Sequence, residues 1–581
     1  MPTIFWPDDV RQAGFCYGWV NPAICVSGTL QVGTLEDAQE KLRQLSHVPQ
    51  WEQLVKLCGS EPIILGTCEF SQTNGSRLPV LQLSMSEPVD NIFVYYYRHS
   101  PSTLRFYALE TLGLDTANRA DVASGSEYLK LSQHDFTEPR KRQVKSGLDD
   151  TVINQFNSAL VPDGLLQNTR LHTRQNPLGF AWLTFLRLVN RRFSSPVSSI
   201  SRLLACLCSV PIFPFRTSPR LKDISATIQQ IDVRAEQGEF FVTEAVTVHR
   251  RSSTHISVHS ARYTNFFNTV WLMLNDITIG LAFGSFLCEN HLVLSRFLNR
   301  TVEDIFIIWV QRALVWLDSW PAGLKLNTEL SRFYSHTFIG LVTAWGGLLL
   351  RFASCSPALI YIIGIVSCGG VTLAISVFID LLAVLTAHIY ICYAVSGAVY
   401  QRMLKTAGSL WNLFRGKRYN VLRNRTDSWE YDIDQLIFGT ILFTLLAFLF
   451  PTVLAYYALF AMMRFGILIL QACMETLLAL LNHFPLFALM LRIKDPWRLP
   501  GGIYFSAINT PGLSHPQLVI KNQPVPFSTI FFQYIQLLSR LATHYNPLRL
   551  LRCIFSGQYL AAISRYSIRY NKIPEEHISI I

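Results

Sequence analysis

The sequence predicts a polytopic α-helical membrane protein of about six transmembrane helices with an N-terminal mixed α/β region facing the cytosol. Three observations carry this expectation. Half of the residues are hydrophobic and only 15% are charged, against roughly a quarter charged in soluble domains. Long apolar runs recur between residues 264 and 490, several near the roughly 20 residues that cross about 30 Å of hydrocarbon. Before residue 160 the apolar runs are short and cut by Gly, Ser, Asn and Pro, the punctuation of strands and turns.

Taken in order, residues 1–160 read as a cytosolic α/β region. Pro62–Leu65, Val80–Leu83 and Asn91–Tyr97 are strand-like, and Leu35–Leu45 is a polar helix. The opening MPTIFWPDDVRQAG has neither a basic nor an apolar leader segment. No cleaved signal is therefore expected, and membrane entry would use internal segments. Residues 161–263 read as linker and membrane-associated helices. The polar stretch 115–180, with Arg140, Lys141 and Arg142, is the linker. Asp149 and Asp150 within it read as a solvated pair. Leu203–Phe215 is apolar but too short to span and is broken by two prolines, which suits a monotopic or re-entrant segment. Leu221–Arg250 reads as a helix.

Residues 264–490 form the membrane region. Its expected spans are Asn265–Leu287, Thr337–Ala353, Ala358–Phe378, Leu381–Val399, Leu436–Phe460 and Phe465–Leu486. Asp304–Trp320 places charges to one side and suits an amphipathic helix in the interface plane. Residues 491–581 read as a cytosolic tail. Arg402, Lys405, Arg415, Lys417, Arg418, Arg423 and Arg425 crowd the loop after the fourth span, and Arg492, Lys494 and Arg498 follow the last. Such clusters mark cytoplasmic loops, so both termini are expected in the cytosol. The net charge of +11 is read the same way, as attraction to anionic lipid, and no nucleic-acid partner is expected.

The chemistry-bearing residues fall into two groups. Trp411 and Phe414 precede the basic residues Arg415, Lys417, Arg418, Arg423 and Arg425, and Trp429-Glu430-Tyr431-Asp432 follows. Aromatics at headgroup depth beside phosphate-seeking cations make an interfacial anchor, worth about 1 kcal/mol per cation at an anionic surface. These residues are candidates for a lipid headgroup, a sugar-donor diphosphate or a partner protein, and generic positive-inside charge also accounts for them. Asp276, Asp380, His388 and Glu475 lie in or beside apolar runs. Ionisable groups there cost a few kcal/mol and mark function or a paired neighbour. Asp380 and His388 stand eight residues apart, about 12 Å along a helix, too far for a direct bond. The twelve cysteines are scattered without a C-x-x-C pair, so neither a metal nor another cofactor is expected. Gly346-Gly347 and Gly369-Gly370 suit close helix packing.

SLWNLFRGKRYNVLRNRTDSWEYDIDQLIFGTILFTLLAFLFPT (409–452) resembles the PIG-Q family. WPAGLKLNTELSRFYSHTFI (320–339), LNDITIGLAFGSFL (274–287) and DLLAVLTAHIYICYAVSGAVY (380–400) point the same way. The likeness covers residues 265–490. It implies a non-catalytic subunit, in the endoplasmic reticulum membrane, of the complex that transfers GlcNAc from UDP-GlcNAc to phosphatidylinositol, the first step of GPI-anchor biosynthesis. It further implies partners of the PIG-A, PIG-C, PIG-H, PIG-P and PIG-Y type, with PIG-A carrying catalysis. PAGLKLN contains Gly323 but is no phosphate-binding glycine loop. A directly catalytic chain is the alternative. A transporter ranks below it, because no internal repeat is visible.

Overall fold

A computed structural model describes residues 3–73, 76–83, 92–100, 103–109, 148–166, 196–211, 220–249, 256–319, 323, 326–420, 424–508, 517–531, 535, 538, 539, 542 and 546–558. The chain divides into two compact units. One comprises Met1–Arg202, Glu236–Trp271 and Pro485–Gln533, the other Leu203–Ala235, Leu272–Phe484 and Tyr534–Ile581.

The first unit is built on a mixed sheet. Its strands are β1 (Thr3–Pro7), β2 (Gly14–Trp19), β3 (Ile24–Leu30), β4 (Ile63–Thr73), β5 (Ser76–Leu83) and β6 (Ile92–Tyr96), joined by β9 (Pro500–Ile508) and β10 (Gln517–Pro524). The order is β5-β4-β2-β3-β1-β6-β10-β9. β1 runs parallel to β3 and β6, and β6 parallel to β10, while the outer pairs are antiparallel. Side chains alternate across the pleat. Phe5, Val94, Tyr96 and Ile520 therefore share one face with Trp51, Leu54, Val152 and Phe156 of the covering helices. Ile4, Trp6, Cys16 and Val26 build a second core on the other.

The Leu35–Leu45 helix forms as expected, with the Thr34 hydroxyl accepting from the Asp37 N–H. The strands expected at 62–65, 80–83 and 91–97 lie within or about β4, β5 and β6. Within the expected linker, Asp150–Ser158 is a helix whose Val152, Ile153 and Phe156 are buried. The basic triplet 140–142 lies outside the described residues.

β9 and β10 come from the segment read as a tail. Strand partners are chosen by a face and a register rather than by neighbourhood, and β10 finds β6 more than 400 residues away, with Leu518 opposite Val94. Asn522 donates to the Phe106 carbonyl at 2.8 Å and Arg105 pairs with Asp495 at 3.0 Å, tying the two segments further. Hydrogen-bonded strands occupy one compartment, so the chain between β6 and β10 crosses any membrane an even number of times.

Among the described residues three helices are long and apolar enough to cross a membrane: Tyr263–Glu289 (the apolar part of a helix starting at Ile256), Thr328–Ala353 and Ile433–His483. A bent pair, Val371–Leu385 with Ala387–Phe414, makes up to a fourth. This differs from six separate spans in two places. Ala358–Phe378 and Leu381–Val399 are recut into Ser356–Ser367, Val371–Leu385 and Ala387–Phe414. The first break is at Gly370, whose φ of +135° suits glycine. The second is a 52° bend at Thr386. Leu436–Phe460 and Phe465–Leu486 merge into one 51-residue helix that runs through Pro451 and Arg464, about 75 Å long. Placing both basic clusters on one side relied on two crossings there, and one continuous helix withdraws that support.

Asp304–Trp320 is helical. Val302–Ile308 is π-helical and Trp309–Asp318 is α-helical. Val310, Leu314 and Leu317 pack with Tyr334, Phe338 and Val342, while Trp309, Val315 and Trp316 stay exposed. Pro196–Cys208 is an apolar helix too short to span. Residues 212–215 of the expected monotopic segment lie outside the described residues.

Candidate functional site

Within the second unit, two of the predicted carboxylates hold one helix, the first of them at its start. Asp380 accepts four hydrogen bonds from the beginning of Ala226–His249: Ser225 Oγ (2.5 Å), Ala226 N (2.8 Å), Thr227 N (2.9 Å) and Thr227 Oγ1 (2.7 Å). The first N–H groups of a helix have no intrahelical acceptors, and the dipole there favours an anion. A carboxylate from a separate element thus caps this helix.

Two turns further along, Arg234 forms an ion pair with Asp276, which is only 4% exposed. Asp276 also accepts from the Thr372 N–H at 3.0 Å and the Thr372 hydroxyl at 2.8 Å. Gln230 donates to Thr372 Oγ1 and exchanges two 3.0 Å bonds with Asn482. Four chain segments therefore meet on one carboxylate and its neighbours. Gly370 makes room for them: a Cβ there would stand 1.9 Å from Asp276 Oδ2.

The helix that carries Asp276 also meets Ser356–Ser367 backbone to backbone. A Cβ on Gly280 would meet the Ser367 carbonyl oxygen at 2.2 Å, and one on Gly284 would meet that of Gly364 at 2.5 Å. Ser367 donates to the Gly280 carbonyl at 2.8 Å. Of the expected packing glycines, Gly346 lies against Ile307 whereas Gly347 faces open space.

His388 and Asp380 are not brought together. His388 is fully buried, with Nε2 3.0 Å from the Phe306 carbonyl oxygen and its ring stacked on Trp345. Glu475 is 5% exposed on the long helix, next to Met474, which packs with Val371 and Ile375.

The basic-aromatic stretch forms a feature that local sequence did not announce. Beyond Phe414 the chain makes an antiparallel hairpin of β7 (Lys417–Asn420) and β8 (Arg425–Ser428) before Ile433–His483 begins. Gly416 and Asn424 take positive φ, the conformation these residue types tolerate in turns. Trp429 N–H closes the base on the Gly416 carbonyl at 2.8 Å. Arg418 lies 5.1 Å from the Trp429 ring centroid, a cation–π contact. Arg425 pairs with Asp427 at 2.8 Å. Trp411, Phe414, Tyr419 and Trp429 are exposed, as are Arg415, Arg418 and Arg425; Lys417 is half-buried. Phe414 also meets Phe443 edge-on. Arg423 lies outside the described residues. Among the described residues no group of three or more His, Cys, Asp or Glu could hold a metal ion.

Sequence reasoning missed Arg234, Gln230, Thr372 and Asn482. They are ordinary polar residues until the fold gathers them. It also passed over Gly280 and Gly284, although G-L-A-F-G is a legible G-x-x-x-G pattern in an apolar helix.

A family model described as "N-acetylglucosaminyl transferase component (Gpi1)" matches residues 228–501. The chain is 33% identical over 524 residues to the "N-acetylglucosaminyl-phosphatidylinositol biosynthetic protein gpi1" of Schizosaccharomyces pombe, covering 84% of this chain and 78% of that protein. It is 30% identical to the "Phosphatidylinositol N-acetylglucosaminyltransferase subunit GPI1" of Saccharomyces cerevisiae, covering 82% and 84%. It is 33% identical to the mouse "Phosphatidylinositol N-acetylglucosaminyltransferase subunit Q" over 46% of each chain. No solved structure matches. The similarity to the two yeast proteins covers more than four fifths of this chain and more than three quarters of each of theirs, and by it the chain belongs to the Gpi1 family.

Proposed function

We propose that this chain is a non-catalytic, multi-pass subunit of phosphatidylinositol N-acetylglucosaminyltransferase in the endoplasmic reticulum membrane. That enzyme transfers GlcNAc from UDP-GlcNAc to phosphatidylinositol and begins GPI-anchor biosynthesis. The names of the yeast and mammalian relatives support the assembly. The use made of the buried carboxylates supports the scaffold role and carries this reading: Asp276 and Asp380 tie helices of the chain to one another.

In this reading the sheet unit, with both β6 and β10, lies in the cytosol. The long apolar helices, whose surfaces the chain itself leaves mostly uncovered, meet lipid and partner subunits of the PIG-A, PIG-C, PIG-H, PIG-P and PIG-Y type. The hairpin residues Arg415, Lys417, Arg418 and Arg425, with Trp411 and Phe414, contact a lipid headgroup or a partner at the membrane rim.

The test is to remove the protein from cells, then assay microsomes for GlcNAc-phosphatidylinositol synthesis and the remaining subunits for co-purification. Loss of both is expected. An intact, active complex without this chain refutes the role. Turnover of UDP-GlcNAc and phosphatidylinositol by the purified chain alone refutes its non-catalytic character.

A further inference from the structure

The segment after residue 545 contains a helix whose three faces have three different chemistries. Pro547–Ser556 is closed at both ends: Asn546 Oδ1 accepts from the Leu548 N–H, and Gly557 ends the helix at φ +68°. Residues three, four and seven apart share a face. Leu550, Cys553 and Ile554 face the bundle, where Leu550 joins a core with Tyr393, Tyr400 and Tyr457.

The hold on the end of this helix is specific. Tyr457 donates to the Ile554 carbonyl at 2.8 Å, Tyr400 to that of Phe555 at 3.3 Å and Tyr393 to that of Gln558 at 3.2 Å. The last carbonyls of a helix lack intrahelical donors; Tyr457 and Tyr400 reach two of them, and Tyr393 holds the chain just beyond the Gly557 cap. The phenols stack, with Tyr400 and Tyr457 centroids 4.4 Å apart.

The second face carries Leu548, Leu551 and Phe555. Leu548 is 74% and Phe555 72% exposed, unusual for large apolar side chains on so short and firmly docked a helix. The third carries Arg549, Arg552 and Ser556, all exposed. By the 100° step of a helix, the apolar face is centred about 75°, the arginine face about 170° and the docked face about 290°. A helix fastened along one side, apolar on one flank and cationic on the other, has the anatomy of an interfacial helix. Tyrosines with an apolar body and a polar tip are enriched at the same depth.

We infer that Pro547–Ser556 lies in the plane of the membrane surface, fastened by Tyr393, Tyr400 and Tyr457, with Leu548, Leu551 and Phe555 among acyl chains and Arg549 and Arg552 on anionic lipid phosphates. The inference rests on the membrane reading above. It commits to lipid because cations flank the apolar stripe where headgroups would lie, and because the helix is docked on helices already apolar enough to span.

The test uses the full chain in nanodiscs of phosphatidylcholine and phosphatidylinositol. A genetically encoded environment-sensitive fluorophore is placed singly at Phe555, Arg552, Leu550 or Phe448, the last being 80% exposed on the long helix. Lipids spin-labelled high on the acyl chain should extinguish most emission at 555, and headgroup-labelled lipids most emission at 552. The docked position 550 should respond weakly to both. Quenching at 555 by aqueous iodide and not by lipid overturns the inference. So does protection at 555 from both quenchers in the assembled enzyme, which would assign this face to another subunit. The 448 probe separates the two levels: lipid quenching at 448 without quenching at 555 removes only this inference, and its absence at both removes the membrane reading as well.

Discussion

Replacing Asp276 with Ala should be among the most damaging single changes in the helical unit. The carboxylate is 4% exposed and accepts from the Thr372 N–H, the Thr372 hydroxyl and Arg234. Its loss strands a guanidinium whose side chain is 16% exposed. Breaking one side of a buried ion pair costs about 3–5 kcal/mol, because the remaining charge keeps its desolvation penalty. A folded protein has only about 5–15 kcal/mol in all. The check is a double-mutant cycle with Arg234→Ala, followed by denaturant titration of the purified chain in mild micelles. Each single variant should lose several kcal/mol, and the pair should lose less than their sum by about 0.5–3 kcal/mol, the range for residues in direct contact. Asp276→Asn should fall between, since it can still accept from Thr372. Single-variant costs that add to within about 0.5 kcal/mol would show that the two residues do not act as a pair and would refute this reasoning.

Gly280→Ala should destabilise the same unit, since its Cβ would lie 2.2 Å from a backbone oxygen that cannot step aside, whereas Gly347→Ala, with nothing within 4 Å, should be neutral or mildly stabilising; thermal melts of the two variants decide. In the sheet unit, burial and the nearby Arg105 push the His99 imidazole down to about 4, against the opposing pull of Asp495. The unfolded chain then takes up a proton near pH 6.5 while the folded one does not. This stabilisation is fully present above pH 6.5 and is lost as pH falls toward 4, by at most about 3 kcal/mol. Hydrogen-exchange protection factors in β6 and β10, referred to the intrinsic exchange rate at each pH, should fall over that window in the native protein and less so in His99→Gln. Finally, glycosylation acceptor sites engineered beside β3 and beside β10 should both be used or both ignored, because their sheet occupies one compartment; modification of one alone refutes the pairing.

The candidate residues were legible in the sequence to the extent that their oddity is local. A carboxylate in an apolar run announces itself, so Asp276, Asp380 and Glu475 could be picked without a structure. What each one does could not. Asp380 and Asp276 serve a helix about 40–155 residues earlier in the chain, and nothing at positions 226 to 234 advertises that service. The hairpin shows the same limit: its charges and aromatics were plain, but its two short strands carry no alternating apolar pattern to read.

Composition and hydropathy by themselves determined that apolar helices dominate residues 264–490, because a helix meets its backbone hydrogen bonds within one segment and its environment is written in its side chains. Residue order and spacing likewise pointed to the family. Only the tertiary structure decided where those helices break, merge and touch, and that residues 500–524 complete a sheet begun at residue 3. Such features depend on which distant surfaces fit together, at Gly370 against Asp276 or at β10 against β6, and that choice belongs to no short stretch of chain.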